Sequence, residues 1–222
     1  MNIQTINTGI FDVNSLIIPC SQDCCLVVDP AACSLSGDEN KITDYLKKMN
    51  LKCAGILLTH SHFDHIMGIN IIKNAFPDAP VALHINERQE LECPPGPMNV
   101  SVVNGFGSGA AQVLDVVAKQ PKADILLNYN DNLKIINPLF DGWKVIHTPG
   151  HTPGSVCFYN ADEKVLVAGD TLFYGSWGRT DMYGGNDAQM AKSLALLKKL
   201  IPGDVTVYSG HGETGWLMSE GF

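Results

Sequence analysis

The run Thr59-His60-Ser61-His62-Phe63-Asp64-His65 packs three imidazoles and a carboxylate into one short segment. Two more histidines sit in Gly150-His151-Thr152-Pro153-Gly154 and Gly210-His211-Gly212, and Val167-Ala168-Gly169-Asp170-Thr171 adds an aspartate at the end of an apolar run. Imidazole nitrogen and carboxylate oxygen are the ligands borderline divalent ions take, and each imidazole must be neutral to bind. Five such nitrogens and two carboxylates suffice for two ions. A chain that uses them together must bring four distant turns to one place, which few folds can do.

Local patterns say how. Ala54-Gly55-Ile56-Leu57-Leu58 reads as a buried strand feeding into His60, and His60 and His62 then share a face by alternation. Asp64 is a good N-cap for a helix marked by Ile69, Ile72, Ala75 and Phe76. Asp170 and His211 follow the strand-like runs Lys164-Val165-Leu166-Val167-Ala168 and Val205-Thr206-Val207-Tyr208. Ser36 and Glu39 form a capping box before a helix that buries Ile42, Tyr45, Leu46 and Met49. Asn186 or Asp187 caps a later helix whose core face is Met190, Leu194, Leu197 and Ile201, ended by Pro202-Gly203. Residues 93–109, broken by Pro94-Pro95-Gly96-Pro97 and repeated glycines, read as a long irregular loop. Such a loop is a wall or lid of a site, or an exposed insertion. No substrate contact is assigned to it.

A chain of 222 residues with 45% hydrophobic and 17% charged residues suits one globular domain, 1–222. The net charge of −8, with no basic run, argues against a nucleic-acid partner. No apolar stretch reaches the length of a membrane helix, so no membrane partner is expected. Lys or Arg is absent before Lys41, which leaves no positive region for a secretory signal. Seven cysteines are an odd set, and reduced thiols in a cytoplasm explain them most simply. Cys20, Cys24, Cys25 and Cys33 are close enough in sequence to suggest another metal site. Cys24 and Cys25 are adjacent in a strand-like run and point to opposite faces, so small buried hydrophobes is the better reading of the group.

His60-Ser61-His62-Phe63-Asp64-His65, Gly150-His151-Thr152-Pro153-Gly154-Ser155, Gly169-Asp170-Thr171-Leu172-Phe173 and Gly210-His211-Gly212 resemble the metallo-β-lactamase-fold hydrolases. The run Gly175-Ser176-Trp177-Gly178-Arg179-Thr180-Asp181 resembles their glyoxalase II-like, or hydroxyacylglutathione hydrolase-like, branch. The likeness extends over nearly the whole chain, including Asn14 and Asp29-Pro30. It implies an α/β fold, a four-layer αββα sandwich of two mixed β-sheets flanked by helices, with the site at one edge. It also implies two divalent ions, zinc first, with iron or manganese as alternatives. His60, His62 and His151 would hold one ion and Asp64, His65 and His211 the other, with Asp170 bridging both together with a water or hydroxide. Asp64 and Asp170 are then the candidate catalytic carboxylates. Arg179 is expected to brace the loop around Asp170 rather than bind substrate.

The function implied is hydrolysis of an acyl thioester, S-lactoylglutathione or a relative, by a monomer or weak homodimer. Full-length enzymes of the branch carry a further helical domain that helps bind glutathione, and this sequence stops at Phe222. Four other readings compete. A β-lactamase commonly has cysteine in the second site where Asp170 stands. A persulfide dioxygenase shares the Gly-Arg-Thr-Asp run but uses one iron on two histidines and an aspartate. A non-enzymatic metal module would be suggested by an incomplete ligand set. Hydrolysis of another ester or lactone fits the same ligands.

Overall fold

Alternation of buried side chains along the strands builds two sheets that share one core. A computed structural model describes residues 2–222. The first sheet runs β1 (Gln4–Thr8), β2 (Val13–Pro19), β3 (Cys24–Val28), β4 (Lys52–Leu57), β5 (Val81–His84) and β6 (Ile125–Leu127), in that spatial order. Its first three strands pair antiparallel and the pairs from β3 to β6 are parallel. The second sheet comprises β7 (Trp143–His147), β8 (Val156–Asn160), β9 (Val165–Gly169), β10 (Thr206–Ser209) and β11 (Trp216–Leu217), ordered from β11 back to β7. Within it only β9 and β10 are parallel.

Leu16, Ile18, Leu26, Val28 and Leu57 face Val145, Val156, Phe158, Val165 and Val167 between the sheets. Their neighbours Ile17, Cys25, Val27 and Ile56 point the other way, under Ile42 and Leu46 of α1 (Lys41–Lys48), Ile66 of α2 (Phe63–Ile66) and Ile69 and Ile72 of α3 (Ile69–Ala75). On the far side, Ile146, Cys157, Leu166 and Ala168 pack against Leu197. The expected helix–sheet–sheet–helix sandwich is what forms, and the period of two along each strand is its cause.

Short helices connect β5 to β6: α4 (Arg88–Glu92), α5 (Pro97–Val103) and α6 (Ala110–Val117). These overturn the irregular loop expected over 93–109. Gly96 is the N-cap of α5 and Pro97 its first residue, the place where proline's missing N–H costs nothing. Met98, Val103, Val113 and Val117 are buried and hold the two helices down. The helical run Pro97–Val117 has the length and apolar composition of a membrane helix, contrary to the sequence expectation. A 3₁₀ segment containing Gly107, at φ +64° and ψ −126°, interrupts it.

Other local expectations are also corrected. Asp64 lies inside the first turn of α2, whose N-cap is His62, and Gly68 separates α2 from α3. Asn40 rather than Ser36 precedes α1; Ser36 bonds the Cys33 carbonyl and Asp38 instead. Met49 lies beyond the end of α1 and is exposed. Asn186 does cap α7 (Asp187–Leu200), accepting a hydrogen bond from Gln189 N at 2.9 Å. The chain ends in α8 (Met218–Gly221). All seven cysteines are free thiols; Cys25 and Cys33 are buried, whereas Cys20 and Cys24, flanking the β2–β3 turn, are half-buried.

Candidate metal centre

Parallel strands end together, so the segments leaving β3, β4, β9 and β10 gather at one edge of the sandwich. They carry Asp29, His60 to His65, Asp170 and His211 respectively, and the loop after β7 adds His151. Backbone bonds sew the two sheets together here, from Val156 N to Thr59 O at 2.9 Å and from Asn14 N to Gly210 O at 2.7 Å. A register shift after Tyr208 pairs Ser209 with Gly169 and sets Gly210 against Asp170. A Cβ at Gly210 would fall on Asp170 Oδ1, so only glycine permits this approach.

All seven residues read from the sequence meet at this edge. His60, His62 and His151 form one cluster and Asp64, His65 and His211 another, the donor atoms within each lying within 4.8 Å of one another. Asp170 lies between them: its Oδ2 is 3.6 Å from His151 Nε2 and 3.5 Å from His211 Nε2, and its Oδ1 is 3.4 Å from His65 Nε2. Asp64 Oδ2 is 3.3 Å from His211 Nε2.

Hydrogen bonds on the outer side of each ring fix which nitrogen carries the proton. His151 Nδ1 donates to the Arg179 carbonyl at 2.7 Å and His211 Nδ1 to the Phe11 carbonyl at 3.1 Å. His65 Nδ1 donates to Asp29 Oδ2 at 3.1 Å. Thr59 Oγ1 donates to the same carboxylate at 2.7 Å, which leaves it to accept from His60 Nδ1 at 3.0 Å. In their neutral forms, four Nε2 lone pairs therefore point inward. His62 Nδ1 meets His151 Nε2 at 2.8 Å, and His65 Nε2 meets His211 Nε2 at 3.1 Å. His60 Nε2, His62 Nε2 and Asp170 Oδ1 are buried without a hydrogen-bond partner. Buried acceptors facing one another are costly unless something positive lies between them. The donor set fits divalent cations.

Titration follows the same logic. Burial, then the charge of His65, pushes His60 well below the ordinary imidazole value, and burial with His151 nearby lowers His62 to about 3. Burial would also lower His65, but the charges of Asp170 and Asp64 outweigh it and raise the ring well above that value. Against its own burial, Asp170 is held well below the usual carboxylate range, first by His65.

A second layer, missed in the sequence, locks these loops. Glu87, 1% exposed, accepts hydrogen bonds from Ser61 N at 3.1 Å, from Ser61 Oγ and from Gly154 N at 2.7 Å. Asn99 Nδ2 donates to the Ser61 carbonyl at 2.9 Å. These bonds tie the loop between His60 and His62 to the loop after His151. Arg179 braces the site through its carbonyl, while its guanidinium is turned to Asp181. Above the ligands opens a cleft of about 630 Å³, whose walls include Phe11, Phe63, Val102, Phe106 and Phe173. Phe106 and Val102 belong to the segment 93–109, so of its two readings, wall of a site or exposed insertion, the cleft favours the wall.

The family profile of the metallo-beta-lactamase superfamily matches residues 8–212. The chain is 36% identical over 200 residues to the probable metallo-hydrolase YqgX of Bacillus subtilis, covering 90% of this chain and 85% of that protein. It is 30% identical over 191 residues to the hydroxyacylglutathione hydrolase of Ectopseudomonas mendocina, covering 86% of this chain and 57% of that protein. Among solved structures it resembles BLEG-1 B3 metallo-beta-lactamase, with a TM-score of 0.79, 32% identity, and 99% and 95% of the two chains covered. It also resembles TTHA1623 in a di-iron-bound form, with a TM-score of 0.73, 28% identity, and 97% and 95% covered. The chain belongs to the metallo-beta-lactamase superfamily.

Proposed function

We propose that this member of the metallo-beta-lactamase superfamily is a binuclear metal-dependent hydrolase of acyl thioesters. His60, His62 and His151 would hold one divalent ion and Asp64, His65 and His211 a second, with Asp170 placed between the two clusters. The observation that carries the reading is the placement of Asp170 Oδ2, within 3.6 Å of His151 Nε2 and 3.5 Å of His211 Nε2, one ring from each cluster. The likeness to a hydroxyacylglutathione hydrolase supports thioesters, and the di-iron form of TTHA1623 supports a pair of ions. When bound, divalent cations supply Lewis acidity toward a carbonyl and make water more acidic.

The protein residues do the positioning. Asp64 lines the cleft and orients the attacking water by accepting a hydrogen bond from it. His151 and His211, fixed by the Arg179 and Phe11 carbonyls, keep their inner nitrogens aimed without reorganisation. Water's oxygen bonds to the acyl carbon, the C–S bond breaks, and sulfur departs as a thiol with one of the water protons. The other proton goes to solvent as the acid ionises.

A persulfide dioxygenase with one iron would leave the Asp64–His65–His211 cluster without a purpose. A second reading, hydrolysis of a β-lactam amide, is favoured by the likeness to BLEG-1, although Asp170 stands where a cysteine is common. The test is metal quantification on protein purified without chelators, paired with turnover of a panel of acyl thioesters and β-lactams. Two ions per chain with thioester hydrolysis supports the proposal. Full occupancy without thioester turnover refutes it, as does one iron with oxygen uptake on glutathione persulfide.

A further inference from the structure

Outside the ligands, the cleft is almost free of polar groups. Phe11, Phe63 and Phe106 form one wall, with ring centroids 5.8 Å (Phe11–Phe63), 5.8 Å (Phe11–Phe106) and 5.4 Å (Phe63–Phe106) apart. Trp177 and Met182 also line it, and Trp177 is 57% exposed. Phe11 and Phe106 are 44% and 45% exposed, so a protein fold leaves three large rings wet around one cavity. Rings in that position gain most from an apolar ligand.

Charge points the same way. Among the described residues lining the cleft, Arg179 is the one lysine or arginine. Its Nε and Nη2 donate to the two Asp181 carboxylate oxygens at 2.7 and 2.8 Å, a two-pronged bond that occupies the face with which it would grip a substrate carboxylate. Glutathione carries two carboxylates, and among the described residues lining this cleft no uncommitted lysine or arginine is there to receive them.

We infer that the cleft selects thioesters with an uncharged, apolar acyl group, arylalkanoyl or medium-chain, over the small hydroxylated lactoyl group on glutathione. This rests on the thioester reading above and names the substrate class within it. The acyl carbon sits over the ligand cluster and its chain extends between the Phe11–Phe63–Phe106 wall and Trp177. Selectivity then comes from surface buried in the transition state.

The test uses the full chain carrying its metal. S-acetyl-, S-hexanoyl- and S-phenylacetyl-N-acetylcysteamine vary the acyl group on one neutral thiol, with S-lactoylglutathione as comparator. The expected result is a kcat/KM at least tenfold higher for phenylacetyl than for acetyl, and a ratio that falls at least fivefold in Phe106→Ala and Trp177→Ala. A second readout needs no turnover. Trp143 and Trp216 are buried, so Trp177 dominates any ligand-induced change in emission. The non-hydrolysable thioether S-(2-phenylethyl)-N-acetylcysteamine is expected to shift that emission to the blue, with Kd at least fivefold weaker in Phe106→Ala.

S-lactoylglutathione or S-acetyl thioester turned over as well as the phenylacetyl compound overturns the inference while leaving the hydrolase standing. No thioester turnover, together with saturable thioether binding that weakens in Phe106→Ala, overturns the hydrolase reading and upholds an apolar-ligand cleft. Absence of the emission shift overturns the apolar cleft itself.

Discussion

Glu87→Gln isolates the clamp between the two loops that carry His60, His62 and His151. The native carboxylate accepts from three donors, Ser61 N, Ser61 Oγ and Gly154 N, and is 1% exposed. Glutamine keeps the shape but turns one oxygen into an NH₂. Placed toward Gly154, the amide confronts a backbone N–H; placed toward Ser61, it confronts another, and only the hydroxyl can turn to accept. Either way one buried N–H loses its acceptor, which costs ~1–3 kcal/mol. The surviving bonds lose their charge assistance, for roughly another 1 kcal/mol. A net loss of about 3 kcal/mol in a chain of this size is a fall of roughly 6–12 °C in Tm. Because Ser61 lies between His60 and His62, and Gly154 three residues after His151, affinity for the first ion should fall by about tenfold as well. The assays are urea unfolding of the metal-free protein and competition with a metallochromic chelator. A variant within about 0.5 kcal/mol of the parent, with unchanged ion affinity, would show that the clamp does no positioning.

Asp29→Asn keeps a residue that tolerates the observed φ of +47° but sets an amide against His65 Nδ1–H or Thr59. Ion affinity at the His65 cluster should fall about 10–100-fold, with a smaller loss at the His60 cluster, which Asp29 reaches only through Thr59; unchanged affinity at the His65 cluster in chelator competition refutes Asp29 acting through His65. His84 is stacked on His147 with centroids 4.2 Å apart, and burial followed by that neighbour lowers its pKa to about 4. A histidine neutral in the folded state contributes stability that is present above pH ~6.5 and lost as pH falls toward 4, at most ~3 kcal/mol here. His84→Phe, which stacks but cannot be protonated, should flatten the stability profile between those values; an unchanged profile rejects the assignment. Protein stripped by a chelator should regain about 2.7 kcal/mol when a divalent ion is restored at 100 times its Kd, and a Tm that ignores the ion would mean the buried nitrogens do not hold one.

The clustered histidines and aspartates were legible because each motif announces itself locally: His60, His62, Asp64 and His65 are neighbours in sequence, and Asp170 and His211 each close an apolar strand. The sandwich was legible from resemblance and from strands whose alternation is plain, such as Leu16-Ile17-Ile18. Glu87 and Asn99 were invisible because nothing local marks them; Ser61 lies 26 residues from Glu87 and 38 from Asn99. Pro94 to Pro97 misled, since prolines break helices in general and start them at one position, and which case applies depends on whether Met98 and Val103 find a core. Ser36 misled for a related reason. Its hydroxyl found Cys33 O and Asp38 closer than any helix N–H.

The two sheets are consecutive in sequence, β1 to β6 and then β7 to β11, and each ligand cluster draws on both: His60 and His62 with His151, Asp64 and His65 with His211. Severing the connection between residues 128 and 142 would thus yield two fragments, neither owning a complete ion site. Their reunion would be conditional on metal, and the metal would act as a clasp whose occupancy counts correctly mated halves. Evolution or an engineer could split this chain there and obtain a switch worked by the concentration of a free ion.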